Sequence, residues 1–509
     1  MRRDYPSTRI VVLSSLAQGA DRLVAREAIA LGCTLVVPLP FEQAEYESDF
    51  ETAESVAEFR ALLASAQSAF VVPRHGAAGL EERSHAYARC AAYIVRHCVE
   101  LIALWDGRAG SERGGTAETV TFQLEGIPPP YVPESNAFDM ALTGPVVHLP
   151  AQRATKPGGG EPALVGLRVL YPATLSEGAA ADAFEKLKRK IERFNCDALR
   201  AGEGSAASVE QARVAVEAIA GRYQRHVTRS LMVIFLLVFF AAAGFNVYLY
   251  LPNHPAALLV TYLALSAVAF GISRAAKSGE WQDRYQDARA LAEALRVAHY
   301  WDLAHVRESV ADCIARAQFA QIDWVPVAVR ALTEEPGYFP APEDAALAGN
   351  LRLVNDEWIA DQREYFAEIA GRRDRTRELI AGRMAVTGVI FSVVISIALR
   401  LFATTSHLNI VIALVATTVA LGAALLHGYA EKRGWSEHAR RYDRMALLFA
   451  RAQGALAGLL AGEAQSQTAS VRARTIVRRL GEEAIRENVS WLALQRTRPV
   501  AVPMHLPVN

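Results

Sequence analysis

Cysteine is scarce, with five in 509 residues at Cys33, Cys90, Cys98, Cys196 and Cys313, and none sits in a Cys-x-x-Cys pair. Such scattered thiols fit a reducing, cytosolic setting and exclude a disulfide scaffold or a cysteine-based metal site. Charge of one sign is also missing. Lys+Arg and Asp+Glu are equal at 54 each, so no global basic field argues for nucleic acid. No cluster has metal-ligand spacing, and His148, His299 and His305 stand alone. The opening Met1-Arg2-Arg3-Asp4-Tyr5-Pro6 lacks the apolar core of a secretory signal, so membrane insertion is expected to use internal segments.

Apolar residues are abundant: they make up 52% of the chain, and the mean hydropathy is +0.12. Four long apolar runs account for much of this. Ser230–Leu251 and Ala256–Ile272 are separated by Pro252-Asn253-His254-Pro255; Met384–Ala403 and Leu408–His427 are separated by Thr404-Thr405-Ser406-His407. About 20 helical residues cross a hydrocarbon core of roughly 30 Å, so each run predicts a membrane span, Ala256–Ile272 being the shortest. Arg222, Arg225 and Arg229 precede the first pair, and Arg274 and Lys277 follow it. Arg383 precedes the second, and Lys432 and Arg433 follow it, while neither turn holds Lys or Arg. The positive-inside rule then places both turns outside, and both termini with every large segment in the cytosol. The spans hold no Asp, Glu or Lys, and Arg400 reads as snorkelling to the outer interface.

The two hairpins read as one module used twice. Ser230 and Trp281 have the same separation as Met384 and Trp435, and Ile219-Ala220-Gly221-Arg222 answers Ile369-Ala370-Gly371-Arg372. Each module comprises a pre-span helix, a hairpin and an amphipathic helix, Trp281–His299 or Trp435–Gln453. Trp281 and Trp435 read as interface anchors or helix-packing residues, and Trp358, Gln362 and Tyr365 as a packing face.

The first 150 residues alternate short apolar runs with helical stretches, the mark of an open α/β sheet. Strands are expected at Arg9–Ser14, Thr34–Pro38, Ala69–Val72, Val99–Trp105 and Pro145–Leu149. Helices are expected at Asp21–Gly32, Glu54–Ala66, Arg83–His97 and Thr116–Glu125. Ligands bind such sheets beyond the carboxyl ends of the strands. Two loops there carry glycine: Ser14–Asp21, with Ser15, Gly19, Ala20 and Asp21, and the stretch from Asp106-Gly107 to Gly114-Gly115-Thr116-Ala117-Glu118. Glycine lets backbone approach a phosphate, and free N–H groups at a helix start attract negative charge. Thr116 adds a hydroxyl, and Glu118 could accept from a ribose hydroxyl. The plainer alternative makes Asp21 and Thr116 ordinary N-caps, with Glu118 complementing the helix dipole.

The run Leu13–Asp21, with Pro38-Leu39-Pro40-Phe41, Tyr46, Asp49-Phe50, Trp105-Asp106-Gly107 and Gly114–Glu118, resembles the SLOG group, Rossmann-like domains related to LOG and DprA proteins. Gly114–Glu118 is similar to a shortened Gly-Gly-x-Gly-Thr-x-x-Glu signature of that superfamily. The tandem hairpins resemble SLATT-type two-transmembrane modules. The resemblance implies a Rossmann-like head that senses a nucleotide-derived signal, joined to an all-α membrane effector of prokaryotic conflict systems. Related heads begin with a further strand ending in Gly-His-Arg and a helix, so a late start, or a sheet lacking its first strand, is expected here.

The expected organisation is a head at 1–150, a linker at 151–181, a first module at 182–302, a connector at 303–350, a second module at 351–465 and a terminal helix and tail at 466–509. Within the linker region a strand is expected at Gly166–Tyr171, and a helix follows at Asp182–Leu199. The partners implied are the lipid bilayer, a nucleotide-derived small molecule and further copies of the chain, with no nucleic acid and no cofactor beyond the nucleotide-like ligand. Whether the head is an enzyme stays open. A phosphoribohydrolase-like activity would use Glu118 as the acid/base group, with Arg113 or Arg22 clamping phosphate; a membrane-tethered scaffold is the third reading.

Overall fold

A computed structural model describes residues 3–72, 83–108, 113–132, 143–151, 166–173, 176–200, 209–251, 253–316, 324–333, 343–402, 406–461, 467–497 and 499–500. In chain order the head holds β1 (Val11–Leu13), α1 (Ala20–Ala30), β2 (Thr34–Leu39), α2 (Gln43–Glu47), α3 (Ala53–Ala64), β3 (Ser68–Val71), α4 (Arg83–His97), β4 (Leu101–Trp105), α5 (Thr116–Glu125), β5 (Val146–Pro150) and β6 (Arg168–Leu170). The remainder is helical: α6 (Glu177–Arg200), α7 (Val209–Tyr250), α8 (Ala256–Ser278), α9 (Trp281–Leu303), α10 (Val310–Arg316), α11 (Trp324–Leu332), α12 (Asp344–Leu353), α13 (Ala360–Glu364), α14 (Gly371–Phe402), α15 (Ser406–Arg433), α16 (Trp435–Ala461) and α17 (Gln467–Arg496). The fold is therefore a Rossmann-like α/β head followed by an all-α region with two apolar hairpins.

The chain forms two compact units. One comprises Met1–Val216, Leu291–Leu347 and Gly481–Val489; the other comprises Glu217–Ala290, Ala348–Leu480 and Ser490–Asn509.

In the first unit β1, β2 and β3 form a parallel sheet with β2 central. A second sheet pairs β4 with β5 in parallel and β5 with β6 antiparallel. β1 and β4 are thus each terminal in their sheets. Thr34 N donates to Ile10 O and Ser14 N to Val36 O, so alternate residues Ile10, Val12 and Ser14 face β2. The backbone groups of Val11 and Leu13 point to the opposite edge, as those of Ile102 and Leu104 do on β4. Leu35, Val37, Leu39, Phe41, Tyr46 and Phe59 pack under β2 as the main core, and Ala103, Val120 and Val146 form a smaller one under β4 and β5. Helix α4 packs on the first sheet, where the Cys90 thiol donates to Pro38 O at 3.2 Å. It also packs on α5 through Ala88, Ala92, Val95 and Phe122.

The second unit contains the spans. Val209–Tyr250, Ala256–Ser278, Ala345–Leu401 and Leu408–Ala461 are each long and apolar enough to cross a membrane. Their side chains are largely exposed in the isolated chain, including Phe240, Leu263, Val386, Ile390, Val394 and Val411. Exposed apolar rows of this length are stable only against lipid or other apolar surface. Helices α7 and α15 lie antiparallel: Arg433 donates to Thr228, the Phe235 and Tyr429 rings meet at 5.4 Å, and Asn246 donates to Thr417 at 2.6 Å. Helices α14 and α15 close on one another where Ser392 donates to Ala416 O. The helix leading into the third span departs from α geometry twice, with π-helical turns at Val354–Ile359 and Tyr365–Ala370. Trp358 and Gln362 are buried there, Trp358 edge-on to Phe449, which bears out the packing face read from the sequence. Trp281 and Trp435 pack against His226 and Tyr429 at the ends of the hairpins away from their short turns.

Candidate functional site

The loop after β1 is held by three side chains. Leu16 has φ 58°, an uncommon angle for a branched residue, and its fully buried side chain anchors the loop in the core. Arg22 donates from Nε to Leu16 O (3.0 Å) and from one terminal nitrogen to Ser55 O (2.7 Å), with its guanidinium 4.2 Å from the Phe50 ring centre. It is 1% exposed, so it braces the fold instead of clamping phosphate. The Asp21 carboxylate accepts from Ser15 Oγ at 3.2 Å. Burial pushes that carboxyl above its ordinary range, against the opposing pull of Ser15, the Ala17 N–H and Arg22. Neither Asp21 nor Thr116 is an N-cap: Gly19 (φ 99°) and Gly115 hold those positions, and neither start has a side-chain cap. Both leave first-turn N–H groups able to meet an anion.

The loop after β4 divides into two parts. Asp106 Oδ1 accepts from Arg108 N at 3.1 Å and Trp105 Nε1 donates to Arg108 O at 3.0 Å, forming a tight turn with Gly107 at φ 78°. Residues 109–112 lie outside the described residues. Gly114 (φ 74°) then rests on α4, where an added Cβ would overlap the Tyr87 Cβ and the Ala88 amide. The Gly114 N–H donates to the Glu118 carboxylate, so Glu118 fixes the glycine turn from the first turn of α5. Thr116 is exposed at the helix start.

Both glycine-bearing helix starts meet α4 at neighbouring residues. Gly114 touches Tyr87 and Ala88, while burial and the nearby Asp21 push up the Cys90 thiol. Tyr46 joins them, its ring 6.2 Å from Tyr87, its phenol pushed up chiefly by burial, with Ser15 opposing the rise. The structure packs Gly114 against Tyr87 and Ala88 and places Asp21, bonded to Ser15, near Cys90. Asp106 and Gly107 form the tight turn that follows β4.

Three side chains that motif reading did not select stand beside the glycine turn. His85 Nδ1 lies 2.8 Å from Tyr131 OH and 2.9 Å from an Arg113 guanidinium nitrogen. Burial raises the Tyr131 phenol pKa, with Glu118 adding to the rise and Arg113 and the buried Arg89 opposing it. His85 and Arg89 are four residues apart on α4, a same-face spacing that was visible in the sequence. Tyr131, in a Pro-Pro-Tyr turn, carried no such signal. The cluster combines three cationic or protonatable groups, glycine backbone and an exposed hydroxyl, a set suited to an anionic oxygen ligand.

A cavity of about 370 Å³ lined by Glu100, Pro145, Tyr171, Phe184, Glu185 and Lys188 opens at the other ends of β4 and β5 and shares none of these residues. No group of His, Cys, Asp and Glu suited to a metal ion occurs among the described residues. No family model, curated protein or solved structure matches the chain.

Proposed function

We propose that the protein is a membrane-bound effector whose cytosolic head binds a nucleotide or nucleotide-derived signal and thereby controls its two hairpins. The observation that carries this reading is the start of α5, where uncapped Gly115 and exposed Thr116 follow Arg113, whose guanidinium meets the buried His85 of α4. Phosphate suits that arrangement by charge and by the free N–H groups. The resemblance of the head to SLOG domains and of the hairpins to SLATT modules supports a role in prokaryotic defence, at the inner membrane, with both termini cytosolic and several copies acting together. Ligand would drive the hairpins only through different affinities for two states of the head.

Binding is favoured over glycosidic hydrolysis because Glu118 is engaged by the Gly114 amide. A general acid must instead reach the leaving group.

Thermal unfolding of the full-length protein in detergent, with and without nucleoside mono-, di- and cyclic phosphates, tests the proposal. A binder at 100 times its dissociation constant stabilises by about 2.7 kcal/mol, and Arg113→Ala should abolish that gain. No shift with any of these nucleotides would remove the sensor reading.

A further inference from the structure

The carboxy-terminal turns of α17 tie together the two Trp-led helices, α9 and α16, which follow the second span of each hairpin. Trp491 is 4% exposed; its ring meets Tyr285 of α9 edge-on at 5.7 Å, and the Arg289 guanidinium lies 4.2 Å over its face. On α16, the same indole N–H donates to His438 Nε2 at 3.1 Å. Two further bonds fasten α17 to α9: Gln282 Nε2 donates to Gln495 O at 2.7 Å, and Arg496 pairs with Asp287 at 2.9 Å.

His438 has incompatible demands on its two sides. Its Nε2 faces Trp491 Nε1 and, at 3.0 Å, Gln495 Nε2, while its Nδ1 lies 3.7 Å from Asp374 Oδ2. An indole N–H only donates, so Nε2 must keep a lone pair and the imidazole must be neutral, its proton on Nδ1 toward Asp374. An imidazolium donates from both nitrogens and would set N–H against N–H at Trp491. Gln495 can turn its amide to accept; Trp491 cannot.

The surrounding groups hold their charge near neutrality. Arg373 and Arg377 of α14 lie 3.4 and 3.9 Å from Asp374, and Arg289 of α9 stands across Trp491. Arginine stays protonated. Burial pushes the Tyr442 phenol, on α16, up to about 12. Desolvation raises the Asp374 carboxyl, but His438 and Arg373 outweigh it and hold it below its ordinary range. Of these groups, only histidine changes charge between about pH 5 and 8.

We infer that protonation of His438 expels Trp491 from its seat on α16 and so releases α17 from the base of the second hairpin module. Docking is strongest where His438 is neutral and weakens as pH falls, because the released state binds the additional proton. Asp374, freed of competition, then partners the imidazolium.

The full-length protein in nanodiscs, labelled with 5-fluorotryptophan, gives one ¹⁹F resonance for each of its seven tryptophans, and Trp491→Phe identifies the relevant one. That resonance should move between about pH 8 and pH 5 along a one-proton curve. In His438→Gln it should hold its alkaline position throughout, since a glutamine oxygen accepts the indole N–H at any pH. Asp374→Asn should lower the midpoint. A wild-type resonance that stays fixed over this range, or an equal movement in His438→Gln, overturns the inference. Should His438→Gln fail to fold, hydrogen exchange of α17 in the wild type decides: once corrected for intrinsic rates, it must be faster at the acidic end.

Discussion

Asp312 shows how much a single carboxylate can hold in the first unit. It accepts from Arg96 and Arg330, each at 2.6 Å, and all three residues are buried. Desolvation raises its carboxyl, but the two guanidinium groups outweigh it and leave it below the ordinary aspartate range. A depressed carboxylate stabilises the fold above its unfolded value of about 3.9, and that stability is lost as pH falls through the folded value. Asp312→Asn removes the charge that two buried guanidinium groups face and should cost about 3–5 kcal/mol, read by denaturant unfolding of the full chain near neutrality. The deficit should shrink in acid, where wild-type Asp312 is itself protonated; an equal deficit at both pH values would contradict the account. Glycine positions separate by the same reasoning. Gly19→Ala meets open space and costs only the strain of its positive φ, about 1–3 kcal/mol. Gly114→Ala adds the overlap with Tyr87 and Ala88, so it should unfold at a clearly lower temperature than Gly19→Ala.

Among the elements, the helix entering the third span is the least regular. Its second π turn closes with Gly371 N donating to Phe366 O, and a Cβ on Gly371 would overlap that oxygen. Gly371→Ala should therefore expel the extra residue from the turn and rotate α14 by about 100°, one residue of α-helical twist. Arg375 of α14 pairs with Asp443 of α16 just beyond the turn. Cysteines placed at 375 and 443 in a chain lacking its native cysteines should cross-link, and Gly371→Ala should suppress the cross-link. Retained cross-linking would mean that the π turn does not set the register. Most of the head's elements were legible: α4 and α5 have the expected limits, and β2, β4 and β5 lie within about two residues of theirs. The short α2 and both π turns were not, because their geometry answers to tertiary neighbours, Phe59 and Tyr87 at α2 and Phe449 and Tyr442 at the π turns, not to local periodicity.

For the whole molecule, the exposed apolar faces of the four long helices set membrane association, and the flanking arginines set the expected direction of insertion. His254→Cys in the first turn should react with a membrane-impermeant maleimide added to intact cells, and Ser278→Cys at the far end of α8 should not. The reverse pattern would invert the topology. The division of the head into two three-stranded sheets also belongs to this scale, since it depends on which strand edges find partners.

Hydropathy is additive along the chain, so the sequence alone determined the four apolar helices and their arrangement as two hairpins. Short apolar runs alternating with helical stretches likewise determined most strands and helices of the head. Only the tertiary structure decided what the polar residues do. Arg22 turns inward because Ser55, 33 residues away, lies beside it. Glu118 is taken up by the Gly114 amide, and His85 meets Tyr131 across 46 residues. A polar side chain acquires its role from the partner it reaches, and those partners come together only when distant segments pack.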